Sequence, residues 1–235
     1  MQHVNCILIG APVDSGKHRK GCVMGPDAYR TANLPQVLAD LGHSVTDLGN
    51  LTVMPAASAN GPDHPTELSQ TIGWTNRLAE DGVAAFANGL PIFLGGDHAL
   101  SLGSGLAAAR HAQKINRPQY ILWLDAHSDF HTPETTMSGN LHGTPLAYLT
   151  GRNGFSGFPK NDAPVPDQQV CIIGLRSVDK AEKNALQQSK IQFYDMRAID
   201  EQGIKHPLQA FLDQVKANNG LLHVSLDVDF LDPSI

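Results

Sequence analysis

Tyr120-Ile121-Leu122-Trp123-Leu124 runs directly into Asp125-Ala126-His127-Ser128-Asp129. The first five residues are an apolar run with the length and composition of a buried strand. The next five place metal-capable side chains at alternate positions, Asp125, His127 and Asp129. Side chains at i, i+2 and i+4 of an extended chain project to one side, so two carboxylates and an imidazole are expected to leave the strand together. Such a grouping is costly in a fold and useful around a cation. The pattern recurs at Ser225-Leu226-Asp227-Val228-Asp229, again at the end of an apolar run.

Away from these two stretches, short apolar runs alternate with segments of helical spacing. Further strands are predicted at Val4–Gly10, Ser44–Leu48, Leu90–Leu94, Val170–Gly174, Gln192–Tyr194 and Gly220–Asp227. Helices are predicted at Pro26–Leu41, opened by Gly25-Pro26, and at Glu67–Ala87, Leu100–Ala112, Lys180–Gln188 and Pro207–Ala217. This alternation predicts an α/β fold with three α/β/α layers and a mostly parallel sheet. Pro55–Pro65 and Asn153–Gln168 read as surface loops between like halves, so residues 1–235 are expected to form one domain.

Composition narrows the function. The chain has 235 residues, 41% of them apolar, enough for a substantial core. Its 17 Lys+Arg against 23 Asp+Glu give a net charge of −6, which argues against a basic-faced nucleic-acid binder. Cys6, Cys22 and Cys171 are far apart and form no CxxC pair, as expected in a reducing compartment. The N-terminus lacks a basic start and apolar core, and no apolar run approaches membrane-spanning length. The expectation is a cytoplasmic protein with no membrane partner.

Open α/β sheets bind ligands at the carboxyl ends of their strands. Gly95-Gly96-Asp97-His98 closes one predicted strand there, so His98, Asp125, His127, Asp129, Asp227 and Asp229 share a rim. Four carboxylates at that spacing cannot all stay ionised without cations, and two divalent ions would balance them. Oxygen-rich ligation with a minority of imidazole and no thiolate suits Mn²⁺ or a similar hard ion better than Zn²⁺. Two such ions roughly 3.5–4 Å apart share a water and lower its pKa towards neutrality. Counting the ligands, two ions and one hydroxide leaves about one negative charge, which favours a guanidinium or amidinium substrate over a phosphate ester.

These blocks resemble the arginase/agmatinase (ureohydrolase) family of binuclear manganese enzymes, closest to its arginases. The matching segments are Gly95-Gly96-Asp97-His98, Asp125–Asp129 and Ser225–Pro233, with Gly10-Ala11-Pro12, Gly16, Gly21 and Gly25-Pro26 before Arg30. Ser138-Gly139-Asn140-Leu141-His142-Gly143 and Gly174–Asp179 lean towards arginases within the family. The resemblance implies two Mn²⁺ per chain and hydrolysis of L-arginine to L-ornithine and urea by attack of a metal-bridging hydroxide. It implies that His98, Asp125, Asp129 and Asp227 hold one ion, and His127, Asp125, Asp227 and Asp229 the other. Asp129 and His142 would be catalytic, holding the hydroxide's proton and shuttling protons respectively. Ser138, His131, Thr136 and Asn140 would line the α-carboxylate side and Asp179 would meet the α-ammonium group. Asp179 also has the position of a cap for the helix beginning at Lys180. His142 has a bland alternative as a packed loop histidine, and Asp97 reads as an orienter of ligands.

Two departures stand out. His131 occupies the place where arginases usually have Asn, and Ser177 replaces an acidic residue common there. Family members also continue past the last metal motif with a Gly/Pro-rich loop, another strand and an acidic residue near the guanidinium. The chain is therefore expected to be C-terminally incomplete and weakly active or inactive in isolation. The alternatives are another guanidino- or formimino-hydrolase of the family (agmatinase, guanidinobutyrase, formimidoylglutamase) or an inactive metal-binding fragment. The family commonly forms homotrimers or hexamers.

Overall fold

β4 (Gln119–Leu124) is the strand that carries the site, and its alternating side chains explain the layering. The structure, a computed structural model, describes residues 3–54, 67–232 and 234. The predicted loop Pro55–Pro65 and Pro233 of the last motif lie outside them. Ile121 and Trp123 of β4 face one buried core, whereas Tyr120 and Leu122 face another. The adjacent β5 (Val170–Leu175) divides the same way, with Val170 and Ile172 on the first face and Cys171 and Ile173 on the second. Helices cover both faces, as the run of apolar residues without polar alternation requires.

The order along the chain is β1 (Asn5–Ala11), α1 (Gly25–Thr31), α2 (Leu34–Asp40), β2 (Ser44–Asn50), α3 (Leu68–Phe86), β3 (Leu90–Gly95) and α4 (Leu100–Lys114). After β4 come α5 (Pro145–Leu149), β5, α6 (Lys180–Gln188), β6 (Gln192–Asp195), α7 (Met196–Gln202), α8 (Lys205–Ala217) and β7 (Leu221–Leu226). Every strand pairing is parallel. Among the described residues, the strands fall into two ladders, β2-β1-β3 and β6-β5-β4-β7. The outer edges of β3 and β7 have no strand partner there. Their carboxyl ends nevertheless meet through side chains: His98 Nε2 lies 2.8 Å from Ser225 Oγ, and Ser101 Oγ lies 3.2 Å from the same hydroxyl. α4 is buried almost throughout, rich in Gly, Ala and Ser, and packs closely on α3 and against β4 and β7.

The fold departs from the sequence reading in three places. Pro26–Leu41 is two helices: Asn33 takes a left-handed φ of 66° between them, and Pro35 in the first turn of α2 could not donate to an unbroken helix. Asn153–Gln168 is irregular, as expected, but it is not simply a surface loop. Phe158 and Val165 are buried, and Phe155 and Phe158 pack around Tyr148. The short helices α5 and α7 escaped the pattern because neither is long enough to show a helical period. Among the described residues, no helix is long and apolar enough to cross a membrane.

The second core rests on α8, whose Phe211 is fully buried and meets Tyr120 edge-on at 5.8 Å. Phe211→Ala should lower unfolding stability by about 3–5 kcal/mol, read as a shift in the denaturant midpoint. A midpoint unchanged within error would show that α8 does not contribute to the core.

Candidate metal centre

Three loops at the carboxyl ends of β3, β4 and β7 bring the predicted ligands together. His98 Nδ1 lies 2.9 Å from Asp125 Oδ2, 2.9 Å from Asp129 Oδ2 and 3.2 Å from Asp227 Oδ2. His127 Nδ1 lies 3.1 Å from Asp229 Oδ2 and 3.5 Å from Asp125 Oδ1. Among the described residues, three groups have ligand atoms close enough to hold an ion: His131/Asp179/Glu182, apart from the rest, and the neighbouring pair His98/Asp125/Asp227 and Asp125/His127/Asp229. Asp125 belongs to both.

The convergence does not arise from strand alternation. β4 ends at Leu124, and the chain then turns. Asp129 reaches the cluster because its backbone adopts φ +46°, a left-handed conformation that Asp tolerates better than branched residues do. That bend is pinned: the Asp129 carbonyl accepts from Leu146 N–H at 3.0 Å. On either side of it, the Ser128 hydroxyl and the Phe130 N–H donate to Glu182 Oε1. At β7, Asp227 caps a 3-10 turn over Val228–Phe230, which swings Asp229 into place, and Asp227 Oδ1 accepts from Asp229 N–H. Arg176 clasps that turn through the carbonyls of Asp229 and Leu231. Gly174 must be glycine here. Its φ is +107°, and a Cβ would lie 2.5 Å from the Phe230 ring and 3.0 Å from the Asp125 carbonyl.

The donor set fits a cation. His98 Nδ1 and Asp129 Oδ2 are buried and, despite their close neighbours, make no properly directed hydrogen bond. Carboxylate oxygens crowding one imidazole nitrogen without hydrogen-bond geometry resemble ligands around an ion more than a hydrogen-bonded network. The electrostatics agree. Burial raises the Asp129 carboxyl to about 7 against the opposing pull of His98. Hydrogen bonds to Asp125 and Asp229 lift His127 to about 10. Burial pulls His98 down, but Asp125, Asp129 and Asp227 outweigh it and hold it well above the usual imidazole range. The protein alone thus retains protons where a divalent ion would supply charge.

A second layer holds the ligands. The indole Nε1–H of fully buried Trp123 donates to Asp125 Oδ2 at 3.1 Å, and its ring stacks on His98 with centroids 4.5 Å apart. Asp97 bonds to backbone instead of to a ligand, accepting from Gly16 N–H and Ala99 N–H. This draws the loop after β1 across the site, where Gly16 O accepts from His142 N–H. Burial and the positive charge of His98 and Lys17 depress His142 to about 4, so its imidazole is neutral at pH 7.

The remaining predicted residues form two further groups. Thr136 Oγ1 lies 3.2 Å from Ser138 Oγ, Asn140 N–H donates to Ser138 Oγ, and Asn140 Oδ1 accepts from His18 N–H. Asp179 does cap α6: its Oδ1 accepts from Glu182 N–H, while its Oδ2 lies 3.0 Å from His131 Nε2. Glu182, Trp123, Arg176, Ser225 and His18 were not singled out from sequence. Only Glu182, three residues after Asp179 at a helix start, carried a local signal, that of a capping box.

A carboxylate-rich, thiolate-free cluster with two imidazoles, set at the carboxyl ends of parallel strands between helical layers, defines a metal-dependent α/β enzyme. Residues 4–235 match the arginase family. An arginase of Brucella melitensis biotype 1 is 51% identical over 234 residues, 99% of this chain and 76% of the relative. One from Agrobacterium fabrum is 49% identical over 232 residues, 98% of this chain and 72% of the relative. The crystal structure of an arginase from Bacillus subtilis superposes with a TM-score of 0.87 at 33% identity, covering 98% of this chain and 77% of that one. The chain belongs to the arginase family and is a hydrolase of the arginase type. It spans about three quarters of the length of these relatives.

Two outcomes follow from the geometry. Trp123→Phe keeps an aromatic ring against His98 but removes the N–H to Asp125, so metal affinity should fall about 10-fold or more in equilibrium dialysis. Unchanged affinity would leave the indole a packing role only. Because a ligating imidazole must be neutral, binding has to displace the proton that His127 keeps up to about pH 10. Apparent affinity should therefore rise with pH, by about tenfold per unit for each proton displaced. Calorimetry in buffers of different ionisation enthalpy counts those protons, and a count of zero would contradict the sign.

Proposed function

We propose that this chain hydrolyses L-arginine to L-ornithine and urea with two Mn²⁺ ions held by His98, Asp125, His127, Asp129, Asp227 and Asp229. The observation that carries this reading is the pair of ligand groups sharing Asp125, in a chain about half identical to proteins named arginase. The oxygen-rich donor set favours manganese over zinc. When bound, the ions supply Lewis acidity and a water of lowered pKa as nucleophile.

The chain's own residues would do the rest. Hydrolysis adds the water oxygen to the guanidinium carbon, breaks the bond to the chain nitrogen and delivers both protons of the water to that leaving nitrogen, which departs as an ammonium beside neutral urea. Asp129, buried with Oδ2 beside His98, would take a proton there. His142 would shuttle protons at its imidazole. Ser138, Thr136 and Asn140 would receive the α-carboxylate and Asp179 the α-ammonium group, which fixes the guanidinium against the centre. A cytoplasmic location, in keeping with the scattered, unpaired cysteines, and a homotrimer or hexamer, implied by the family resemblance, are part of this proposal.

A second reading is another guanidino- or formimino-hydrolase of the family. It is favoured by His131, whose ring nitrogens face Asp179 and Thr135. The natural gene product, loaded with Mn²⁺, should release urea from L-arginine. Urea from agmatine or 4-guanidinobutyrate but not from arginine would select the second reading, and two bound metals without any turnover would select a binding role. Asp129→Asn should keep at least one metal by elemental analysis yet lose about 10²-fold or more in kcat. An active variant would remove Asp129 from the chemistry.

A further inference from the structure

We infer that His131 is a positioning residue that fixes Asp179, not itself a contact for the substrate's α-carboxylate. The inference rests on the reading of Asp179 as the α-ammonium contact. Asp179 lies at the start of α6 with 47% of its side chain exposed. One oxygen, Oδ1, is held by Glu182 N–H at 2.9 Å in capping α6. The other, Oδ2, is the one left for a ligand, and its neighbour is His131 Nε2 at 3.0 Å. Without that contact, a half-exposed carboxylate would be tethered by its cap alone and free to turn.

His131 is itself held on three sides. Its Nδ1 lies 3.2 Å from Thr135 Oγ1, which also accepts from Thr132 N–H at 2.9 Å. Glu182 Oε2 lies 3.6 Å from Nε2. Its backbone N–H donates to Gly143 O at 3.1 Å, which ties it to the segment carrying Ser138 and Asn140. Both ring nitrogens thus face protein groups, and only 12% of the side chain is exposed. The imidazole joins the segment assigned to the carboxylate end of the substrate to the aspartate assigned to its ammonium end. The spacing between the two charges of an α-amino acid would then be set by one side chain.

The test compares L-arginine with 5-guanidinopentanoate, which keeps the carboxylate and lacks the α-ammonium group, on the Mn²⁺-loaded gene product. His131→Ala should raise KM for L-arginine about 10-fold with a much smaller change in kcat. KM for 5-guanidinopentanoate should move far less. His131→Gln, which retains an N–H donor, should recover most of the loss. In a double-mutant cycle with Asp179→Ala, the second substitution should add little to the first. Equal losses on both substrates, or additive losses in the cycle, would make His131 a direct carboxylate contact and overturn the inference. A crystal structure of His131→Ala reads the same point without turnover: Asp179 Oδ2 turned away or disordered supports it, and an unmoved Asp179 overturns it. If the unaltered protein releases no urea from arginine, the functional reading fails, while the crystal structure still decides the role of His131.

Discussion

Mutual repulsion among carboxylates gathered on one rim is the constraint on which the rest of this structure depends. Asp125, Asp129 and Asp227 all lie within 3.2 Å of a single nitrogen of His98. Without compensating charge they would drive one another apart or take up protons; the Asp129 carboxyl is raised first by burial and, in smaller part, by the charge of Asp125. The fold holds them together anyway, through rigid strand ends and directed backbone contacts. A site of this kind is unfavourable in itself and becomes favourable with cations, so metal binding and folding of the rim are linked.

The supporting layer shows where the rigidity comes from. Trp123 reaches two ligands at once, one by hydrogen bond and one by stacking. Glu182 holds the segment on both sides of Asp129 through Ser128 and Phe130. Arg176 and Gly174 together seat the turn that presents Asp229. None of these groups needs to touch an ion. They restrict the rotamers and backbone angles of those that would, which keeps ligand geometry from relaxing.

The same economy extends to the start of α6. Glu182 serves the Asp129 bend with one oxygen and accepts from Asp179 N–H with the other. The bend of the metal loop and the start of α6 are therefore one mechanical unit, with His131 lying between them. A substitution at Asp179 or His131 can be felt at the Asp129 bend through this carboxylate, and the reverse also holds.

Much of this was legible in the residues alone. Apolar runs ending in Asp-x-His-x-Asp and Asp-x-Asp marked strands and candidate ligands because hydrophobic burial and cation chemistry each demand particular residue types at short range. The alternation of strands and helices marked the parallel α/β/α layering for the same reason. Some local signals were present but weaker than the pattern around them, such as Asn33 and Pro35, which divide a predicted helix into two. What only the tertiary structure decided are the contacts between residues far apart in sequence: His98 with Ser225, Glu182 with Ser128, Arg176 with the Asp229 turn, His131 with Asp179. It also decided that Asp129 reaches the cluster through a left-handed bend and not through strand alternation. These depend on the relative placement of whole elements and on single backbone angles. No short-range pattern of residue types encodes either, because the free energy that selects them comes from packing across the entire rim.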